Sequence, residues 1–260
     1  MKEALRIWGV RLDTCTKEKA LELVSSFLRE PKLHGIFTPN PEMLVDAKRD
    51  QYFKEALNSG ALNICDGRGL ELFFPKKLHR IPGTDFVLDI CKEARKSGSS
   101  VYLLGSNSDE VVSKAASNLC SLFPGLRIAG IHPGIPIKQK EKDGKMILFF
   151  DSEKHDVLMR HLADSKPDIL FVAFGHGKQE KWIYEYAKQI PDLKIAMGVG
   201  GALDYISGIK KRAPILMRRW GLEWLWRLIR EPWRIGRIWK ASILFPLAYI
   251  LDRFKGNKAR

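Results

Sequence analysis

Long apolar runs are missing from this chain of 260 residues, which excludes several membrane classes. The longest one, residues 241–251, is about half of the roughly 20 residues that a membrane-spanning helix needs. Charged residues are scattered through the N-terminal region, which is not the pattern of a secretory signal peptide. We therefore expect no segment that crosses a membrane.

Cysteine is scarce, and its spacing excludes the common zinc and redox motifs. Cys15, Cys65, Cys91 and Cys120 form neither a CxxC pair nor a cluster with histidine at zinc-binding spacing. Reduced thiols in a cytoplasmic protein are the simplest interpretation of this pattern.

Nucleotide-binding and metal-binding motifs are also missing. GVGG, residues 198–201, is too short for the dinucleotide fingerprint GxGxxG, and GHGKQE, residues 175–180, lacks two residues of a P-loop. No DxD pair occurs anywhere in the chain. A nucleotide-sugar enzyme with this sequence would lack the aspartates that usually hold Mg²⁺ or Mn²⁺ on a diphosphate. Arg or Lys would have to stabilise its leaving group instead.

Positive charge, in contrast, is abundant and concentrated near the C-terminus. The formal net charge is +14. Residues 209–260 contain fourteen Lys and Arg against three acids, a net charge of +11, whereas residues 1–208 carry only +3. A partner attracted by this charge must therefore meet residues 209–260, which we call the C-terminal segment.

Strand-like and helix-like stretches alternate through residues 1–208. Strands are predicted at 34–40, 61–65, 100–105, 126–134, 167–175 and 194–198, and helices at 41–60, 85–96, 109–123 and 176–190. The alternation predicts an α/β fold, Rossmann-like, with a mostly parallel sheet and flanking helices. Residues 136–153 are predicted to be a surface insertion. We expect two units, an α/β domain over 1–208 and a basic, Trp-rich helical appendage over 209–260.

Polar loops follow four of the predicted strands, at residues 38–40, 66–69, 175–179 and 198–201. Ligands of open α/β sheets bind at the carboxyl ends of the strands, so these loops outline one candidate site. Gly200 and Gly201 open a helix, where free N–H groups and the helix dipole favour an anion.

Asp66 is the candidate catalytic residue in these loops. It directly follows an apolar strand and precedes Gly67, a position where a carboxylate faces a cleft. The alternative is a helix cap or turn, for which the Asp side chain is well suited. We favour a solvated loop residue over a base for His176, and a small core residue for Cys65.

Eight stretches, taken in order, cover nearly the whole chain. They are TPNPEMLV (38–45), DGRG (66–69), RIPGTDF (80–86), VYLLG (101–105), PGLRIAGIHPG (124–134), AFGHGKQEKWI (173–183), GVGGALDYISGIKKRAP (198–214) and GLEWLWRLIREPWR (221–234). Together they resemble the TagA/WecG/CpsF glycosyltransferases of bacterial cell-surface polymers. The chain departs from the family pattern in two places. The span 134–166 is longer and more charged than the usual family sequence, and the tail after Arg237 extends beyond the usual end.

The resemblance implies a hexosyltransferase that needs neither metal nor cofactor and inverts the anomeric carbon. It would move N-acetylmannosamine from a UDP-sugar to the 4-hydroxyl of undecaprenyl-diphosphate-linked N-acetylglucosamine, in the synthesis of teichoic acid or another cell-surface polysaccharide. A different donor, such as UDP-N-acetylmannosaminuronic acid or UDP-glucose, is the alternative.

The resemblance also implies roles for particular residues. The family's proposed general base falls on Asp66, and a carboxylate that titrates near pH 4 is ionised at neutral pH. Guanidinium groups meet a departing diphosphate with paired hydrogen bonds. The pocket residues of the family fall on Thr38, Asn40, Arg80 and Gln179, and its C-terminal arginines fall on Arg227, Arg234 and Arg237.

Tryptophan and arginine are both frequent in GLEWLWRLIREPWRIGRIWK, residues 221–240. Arg227, Arg230, Arg234 and Arg237 share one helical face, and Pro232 predicts a break into two helices. This composition is typical of a helix in a bilayer interface. We expect the segment to seat the protein on the anionic inner face of the cell membrane and to bring arginines to a diphosphate. The alternative is that Trp220, Trp224, Trp226 and Trp233 pack on the body as core, with the arginines facing solvent.

A nucleic-acid-binding module is the non-enzyme alternative, since basic residues among aromatics also suit phosphate backbones and bases. The basic residues, however, are confined to one terminal segment beside an apolar run, and no DNA or RNA motif is present. We therefore expect no nucleic-acid partner, and the sequence leaves a homo-oligomer open.

Overall fold

The computed structural model describes residues 4–75, 77–143 and 145–257, and the side chains at positions 219, 234, 253 and 255–257 lie outside the described part. The strands are β1 (Ala4–Ile7), β2 (Val10–Asp13), β3 (His34–Phe37), β4 (Leu62–Asn63), β5 (Ser100–Gly105), β6 (Arg127–His132), β7 (Lys138–Lys142), β8 (Lys145–Phe149), β9 (Ile169–Ala173) and β10 (Ile195–Gly198).

Helices flank these strands and form most of the C-terminal segment. They are α1 (Lys17–Phe27), α2 (Pro41–Arg49), α3 (Gln51–Asn58), α4 (Arg68–Phe73), α5 (Gly83–Ser97), α6 (Asp109–Leu122), α7 (Ser152–Ser165), α8 (Lys178–Tyr186), α9 (Ala202–Ile206), α10 (Ile215–Arg219), α11 (Glu223–Arg230), α12 (Ile235–Trp239) and α13 (Phe245–Asn257). A 3-10 turn covers Ala187–Gln189, another covers Pro232–Arg234, and a π-helical turn covers Lys240–Leu244.

The central sheet has six strands in the order β4-β3-β10-β9-β5-β6, and all neighbours run parallel. This confirms the predicted α/β fold with a parallel sheet. Every residue of β5, β9 and β10 is buried, as expected for strands covered on both faces. The four predicted polar loops follow β4, β3, β10 and β9, which are neighbours in the sheet, so the loops meet at one edge.

One core lies on each face of this sheet. One contains apolar residues of α1, α5, α6 and α9, and the other contains residues of α2, α3, α7 and α8. The second core also takes in Phe245 from α13, so the C-terminal segment is joined to the body through its apolar side chains as well as through ion pairs.

Residues 41–60 form two helices, and the prediction of a single helix is wrong. The break falls at Asp50, whose backbone is extended and whose side chain accepts a hydrogen bond from the Phe53 amide, 3.1 Å away. The other carboxylate oxygen of Asp50 is 2.6 Å from Nζ of Lys181, which is buried. A buried lysine needs such a partner, so a contact from α8 decides where α2 ends.

Residues 136–153 contain an antiparallel hairpin, β7 paired with β8, within the predicted surface insertion. A second antiparallel hairpin, β1 with β2, precedes the sheet. Neither strand of this hairpin was predicted from the sequence.

The C-terminal segment breaks at Pro232 as predicted, since α11 ends at Arg230 and Glu231 leaves the helical conformation. The segment then returns to the body. Phe245 is buried, and its ring centre lies 5.4 Å from that of Trp8 and 5.6 Å from that of Phe73. Nε1 of Trp8 also donates to Asp252, at 2.7 Å. Among the described helices, none has the length and apolar character that a membrane span requires.

Candidate active site

A cavity of about 430 Å³ opens where the C-terminal segment meets the loops after β3 and β4. Residues 1–208, which contain the sheet and which we call the sheet domain, contribute Asn40, Asp66 and Arg80 to its wall. The C-terminal segment contributes Glu223, Arg227 and Arg237. The remaining wall is largely apolar and includes Leu72, Phe73, Trp224, Ile238, Phe245 and Pro246. Both parts of the chain are therefore needed to enclose this space.

Asp66 lies at the end of the sheet, against the first turn of α5. The Gly83 backbone amide acts to lower the pKa of this carboxylate. A Cβ atom at position 83 would lie 3.3 Å from Oδ2 of Asp66 and 3.5 Å from Cγ2 of Thr38, so glycine allows α5 to begin directly beside both side chains. The positive end of the helix dipole favours a carboxylate at this position.

The pKa of Asp66 is raised, which differs from the ordinary value expected from the sequence. Asp66 keeps some accessible surface inside the cavity, but the carboxyl group is surrounded by protein, and this burial is the largest cause of the raised pKa. Arg227 and Arg80 oppose the shift, and the negative charge of Glu223 adds to it. A raised pKa makes the ionised carboxylate a stronger base than an exposed aspartate.

Arg80 and Arg227 reach this site from different parts of the chain. Nη1 of Arg80 donates to the Arg218 carbonyl at 3.1 Å, and the Arg227 guanidinium lies 5.1 Å from the ring centre of Tyr205. Both guanidinium groups also approach Glu223, which the sequence analysis did not single out. Its signal was present, since Glu223 is the only acid between Lys210 and Arg230.

Arg237, the next predicted arginine, contacts the sheet domain through Glu42. Its Nε lies 2.8 and 3.0 Å from the two carboxylate oxygens of Glu42. Lys240 extends this attachment, with its Nζ 2.9 Å from Oδ1 of Asp46. The side chain of Arg234 lies outside the described residues.

Glu42, Asp46 and His176 place three potential ligand atoms within 4.8 Å of one another. Arg237 and Lys240 already supply positive charge to the two carboxylates, and Nε2 of His176 is 2.9 Å from Oδ2 of Asp46. These contacts occupy the oxygens that a cation would need. The expectation that His176 is a solvated loop residue is wrong, because its side chain is largely buried between these partners.

The other predicted residues lie at the same sheet edge but differ in what they contact. Asn40 lines the cavity, and its Oδ1 accepts from the Met43 amide at 3.0 Å, which caps α2. Gln179 is only 5% exposed, and its Oε1 accepts from the amides of Gly175 and Gly200 at 3.2 and 2.9 Å. Gln179 thus ties two loops together. Gly200 and Gly201 are not in the cavity wall.

Tryptophans of the C-terminal segment are mostly exposed to solvent. Trp220 is 68% exposed and Trp233 is 75% exposed, and Trp224 is exposed as well. The alternative that they pack as core is therefore wrong for these three side chains, whereas Trp226 is half-buried and its Nε1 donates to the Lys211 carbonyl at 3.1 Å. Isoleucines of the same segment, such as Ile229 and Ile235, are also exposed.

Comparison with known proteins gives one consistent family. The family model described as "Glycosyl transferase WecG/TagA/CpsF family" matches residues 5–259. Relatives from Staphylococcus aureus strains MW2 and NCTC 8325 / PS 47 are 31% identical over 260 residues, which covers 98% of this chain and 95% of each relative. Both are named N-acetylglucosaminyldiphosphoundecaprenol N-acetyl-beta-D-mannosaminyltransferase. The chain therefore belongs to the WecG/TagA/CpsF glycosyltransferase family and is a hexosyltransferase.

Proposed function

We propose that this enzyme transfers N-acetylmannosamine from a UDP-sugar to the 4-hydroxyl of N-acetylglucosamine on undecaprenyl diphosphate. The names of the relatives support the transferred sugar and the acceptor. The observation that carries the proposal is the cavity in which Asp66 stands beside Arg80 and Arg227, because it combines a base with cations for a diphosphate.

Asp66 acts as the general base in this proposal. Its carboxylate takes the proton of the acceptor hydroxyl while that oxygen attacks the anomeric carbon of the donor. The bond from the anomeric carbon to the diphosphate oxygen breaks on the opposite side, UDP leaves with the electron pair, and the configuration inverts. The buried position supports this role, since a positioned base contributes about 10²-fold to 10⁴-fold to such a step.

Arginines take the place of a divalent ion in this proposal. Each guanidinium about 4 Å from a phosphate oxygen contributes about 4 kcal/mol at the effective dielectric of a partly buried site, against about 1 kcal/mol in water. Arg80 and Arg227 are supported by their proximity to Asp66 and by their place in the cavity wall. Arg237 lies farther along the same wall and is held by Glu42.

The C-terminal segment is proposed to be a membrane-associating unit that holds the enzyme on the inner face of the cell membrane. Its exposed tryptophans and isoleucines lie among basic residues, and anionic lipids favour each nearby cation by about 1 kcal/mol. The same segment provides Trp224 and Ile238 to the apolar wall of the cavity. A lipid-linked acceptor would therefore meet the active site at the surface that contacts the bilayer.

Turnover of defined substrates, with and without EDTA, tests this proposal. UDP-N-acetylmannosamine is mixed with a short-chain analogue of the lipid-linked N-acetylglucosamine, and the product is followed by chromatography. We expect equal rates in both conditions, and loss of transfer in EDTA would overturn metal independence. Turnover only with UDP-glucose or UDP-N-acetylmannosaminuronic acid would assign the other donor.

A further inference from the structure

Glu223 is a buried carboxylate at the first position of α11, in the wall of the cavity. It is 9% exposed. Its Oε1 accepts a hydrogen bond from Nη2 of Arg227 at 3.2 Å. Its Oε2 is 3.8 Å from Nη2 of Arg80 and 3.9 Å from Nη2 of Arg212. Three guanidinium groups therefore converge on one carboxylate.

These three arginines come from separate parts of the chain. Arg80 precedes α5, Arg212 lies between α9 and α10, and Arg227 is on α11. Each has its own second contact as well: Arg80 with the Arg218 carbonyl, Arg212 with Asp85, and Arg227 with the ring of Tyr205. Among the described residues, Glu223 is the contact that all three share.

The cluster has more hydrogen-bond donors than Glu223 satisfies. The Nε atoms of Arg80, Arg212 and Arg227 are buried, and each is without a hydrogen-bond partner in the described part of the chain. The three guanidinium groups face three carboxylates, those of Glu223, Asp66 and Asp85, so the fit to an anionic ligand rests on these unpaired N–H donors rather than on an excess of charge. A diphosphate group, with several anionic oxygens, suits such a set of donors.

We infer that Glu223 is a positioning residue that holds Arg80 and Arg227, which line the cavity, as a diphosphate-binding site beside Asp66, with Arg212, which is not in the cavity wall, as the third arginine of the cluster. Without a central carboxylate the three guanidinium groups repel one another, since like charges at this separation destabilise a buried cluster. The inference deepens the proposed function, on which it rests, by naming the residue that couples the C-terminal segment to the arginine of the sheet domain.

The inference is tested by whether the dissociation constant for inorganic diphosphate rises or falls in one variant. Glu223→Gln adds one positive charge to the site, and charge alone would tighten the binding of inorganic diphosphate by about fivefold. A positioning role predicts the opposite, a dissociation constant at least about tenfold higher, because the guanidinium groups lose their common anchor. Isothermal titration calorimetry at fixed ionic strength measures the difference directly.

Glu231→Gln is the matched control, because it makes the same charge change in the same segment. Glu231 pairs with Lys210 at 3.0 Å and is not in the wall of the cavity. We expect diphosphate affinity within about twofold of wild type in this variant, because the Glu231 carboxylate pairs with Lys210 and does not line the cavity. An equal loss of affinity in both variants would overturn the inference.

Two further results would also overturn it: tighter or unchanged diphosphate binding in Glu223→Gln, and no diphosphate binding by the wild-type protein. Thermal unfolding shows whether the variants fold. If Glu223→Gln does not fold, Glu223→Asp replaces it, since it keeps the charge but shortens the side chain, and unchanged affinity there is the contradicting outcome. The binding measurement uses neither sugar donor nor lipid acceptor, so it stands apart from any failure of the proposed transfer reaction.

Discussion

The sheet domain and the C-terminal segment use apolar residues in opposite ways. The central strands β5, β9 and β10 are buried throughout, and residues 1–208 are nearly neutral. The C-terminal segment carries most of the positive charge and leaves Trp220, Trp233 and Trp239 exposed. Exposed apolar surface of this kind often marks an interaction site, which is the basis of the proposed membrane contact.

The cavity lies between these two parts and depends on both. Asp66 stands on the sheet domain, while the cations Arg227 and Arg237 come from the C-terminal segment. The segment is attached through Phe245 and through ion pairs such as Arg237 with Glu42. The proposed mechanism therefore has two requirements, a base on the sheet domain and cations on the C-terminal segment, and each can be removed on its own.

The largest expected effect comes from removing the base on the sheet side. Asp66→Asn keeps the size of the side chain but cannot accept the proton, so we expect turnover to fall at least about a hundredfold. UDP binding and the thermal unfolding temperature should stay close to those of the wild type. Steady-state assays with calorimetry check this, and near-normal turnover would remove Asp66 from the proposed role.

The next largest effect is expected from acidification, which should stop turnover at a higher pH than it releases the C-terminal segment. Burial raises the pKa of Asp66, so turnover should fall about tenfold per pH unit below that raised pKa, at a higher pH than for an ordinary carboxylate. Burial alone would raise the pKa of Asp46 too, but His176 and Lys240 hold it below its usual range. The stabilisation from Asp46 is present above its ordinary pKa and is lost only as the pH falls through the lower value.

The order of these two acid transitions is measurable. Tryptophan fluorescence reports whether the C-terminal segment stays attached, and the rate of transfer reports the ionisation of Asp66. We expect the rate to be lost while the fluorescence is still that of the native protein. Coincident transitions would indicate that detachment of the segment, rather than protonation of the base, ends activity.

A smaller effect is expected from loosening the attachment. Arg237→Gln removes both hydrogen bonds to the largely buried Glu42 carboxylate and leaves it with the more distant His176, 4.0 Å away, so kcat/KM should fall about tenfold, equivalent to about 1.4 kcal/mol. Arg230→Gln is the control, because Arg230 is exposed on the same segment and lies over the ring of Trp226. Equal losses in the two variants would point to net charge instead of the contact.

The smallest effect is expected at the exposed surface. Trp233→Ala should weaken binding to anionic vesicles about fivefold, since tryptophan is a strong interfacial residue, and should leave turnover of a water-soluble acceptor unchanged. Leu122→Ala is the matched control on the sheet domain, where Leu122 is 60% exposed. Vesicle sedimentation compares them, and equal weakening in both would contradict a membrane surface confined to the C-terminal segment.

The parallel sheet could be predicted because alternating strand and helix patterns are local properties of the sequence. The grouping of the four polar loops could be predicted as well, since the carboxyl ends of parallel strands lie at one edge of a sheet. The break at Asp50 has a local signal, since Asp50 caps α3 through the Phe53 amide, but its pairing with buried Lys181 could not be predicted because Lys181 lies far along the chain.

The same limit applies to the site. Asp66 was predicted as the base from its place after a strand together with the family resemblance, and this role stays a prediction, whereas its raised pKa depends on surroundings that only the folded chain provides. Gln179 stays a prediction as a substrate contact, and its amide oxygen accepts hydrogen bonds from two loops, which the sequence did not indicate. Glu223 was missed because its three arginine partners are assembled only by tertiary contacts.

The π-helical turn at Lys240–Leu244 sets which face of α13 points toward the body of the protein. Each residue advances a helix by about 100°, so deleting one residue from this turn would swing α13 by about that angle. Phe245 would then leave its aromatic neighbours, and Asp252 would turn away from Trp8. The tail therefore tolerates a change of side chain far better than a change of length.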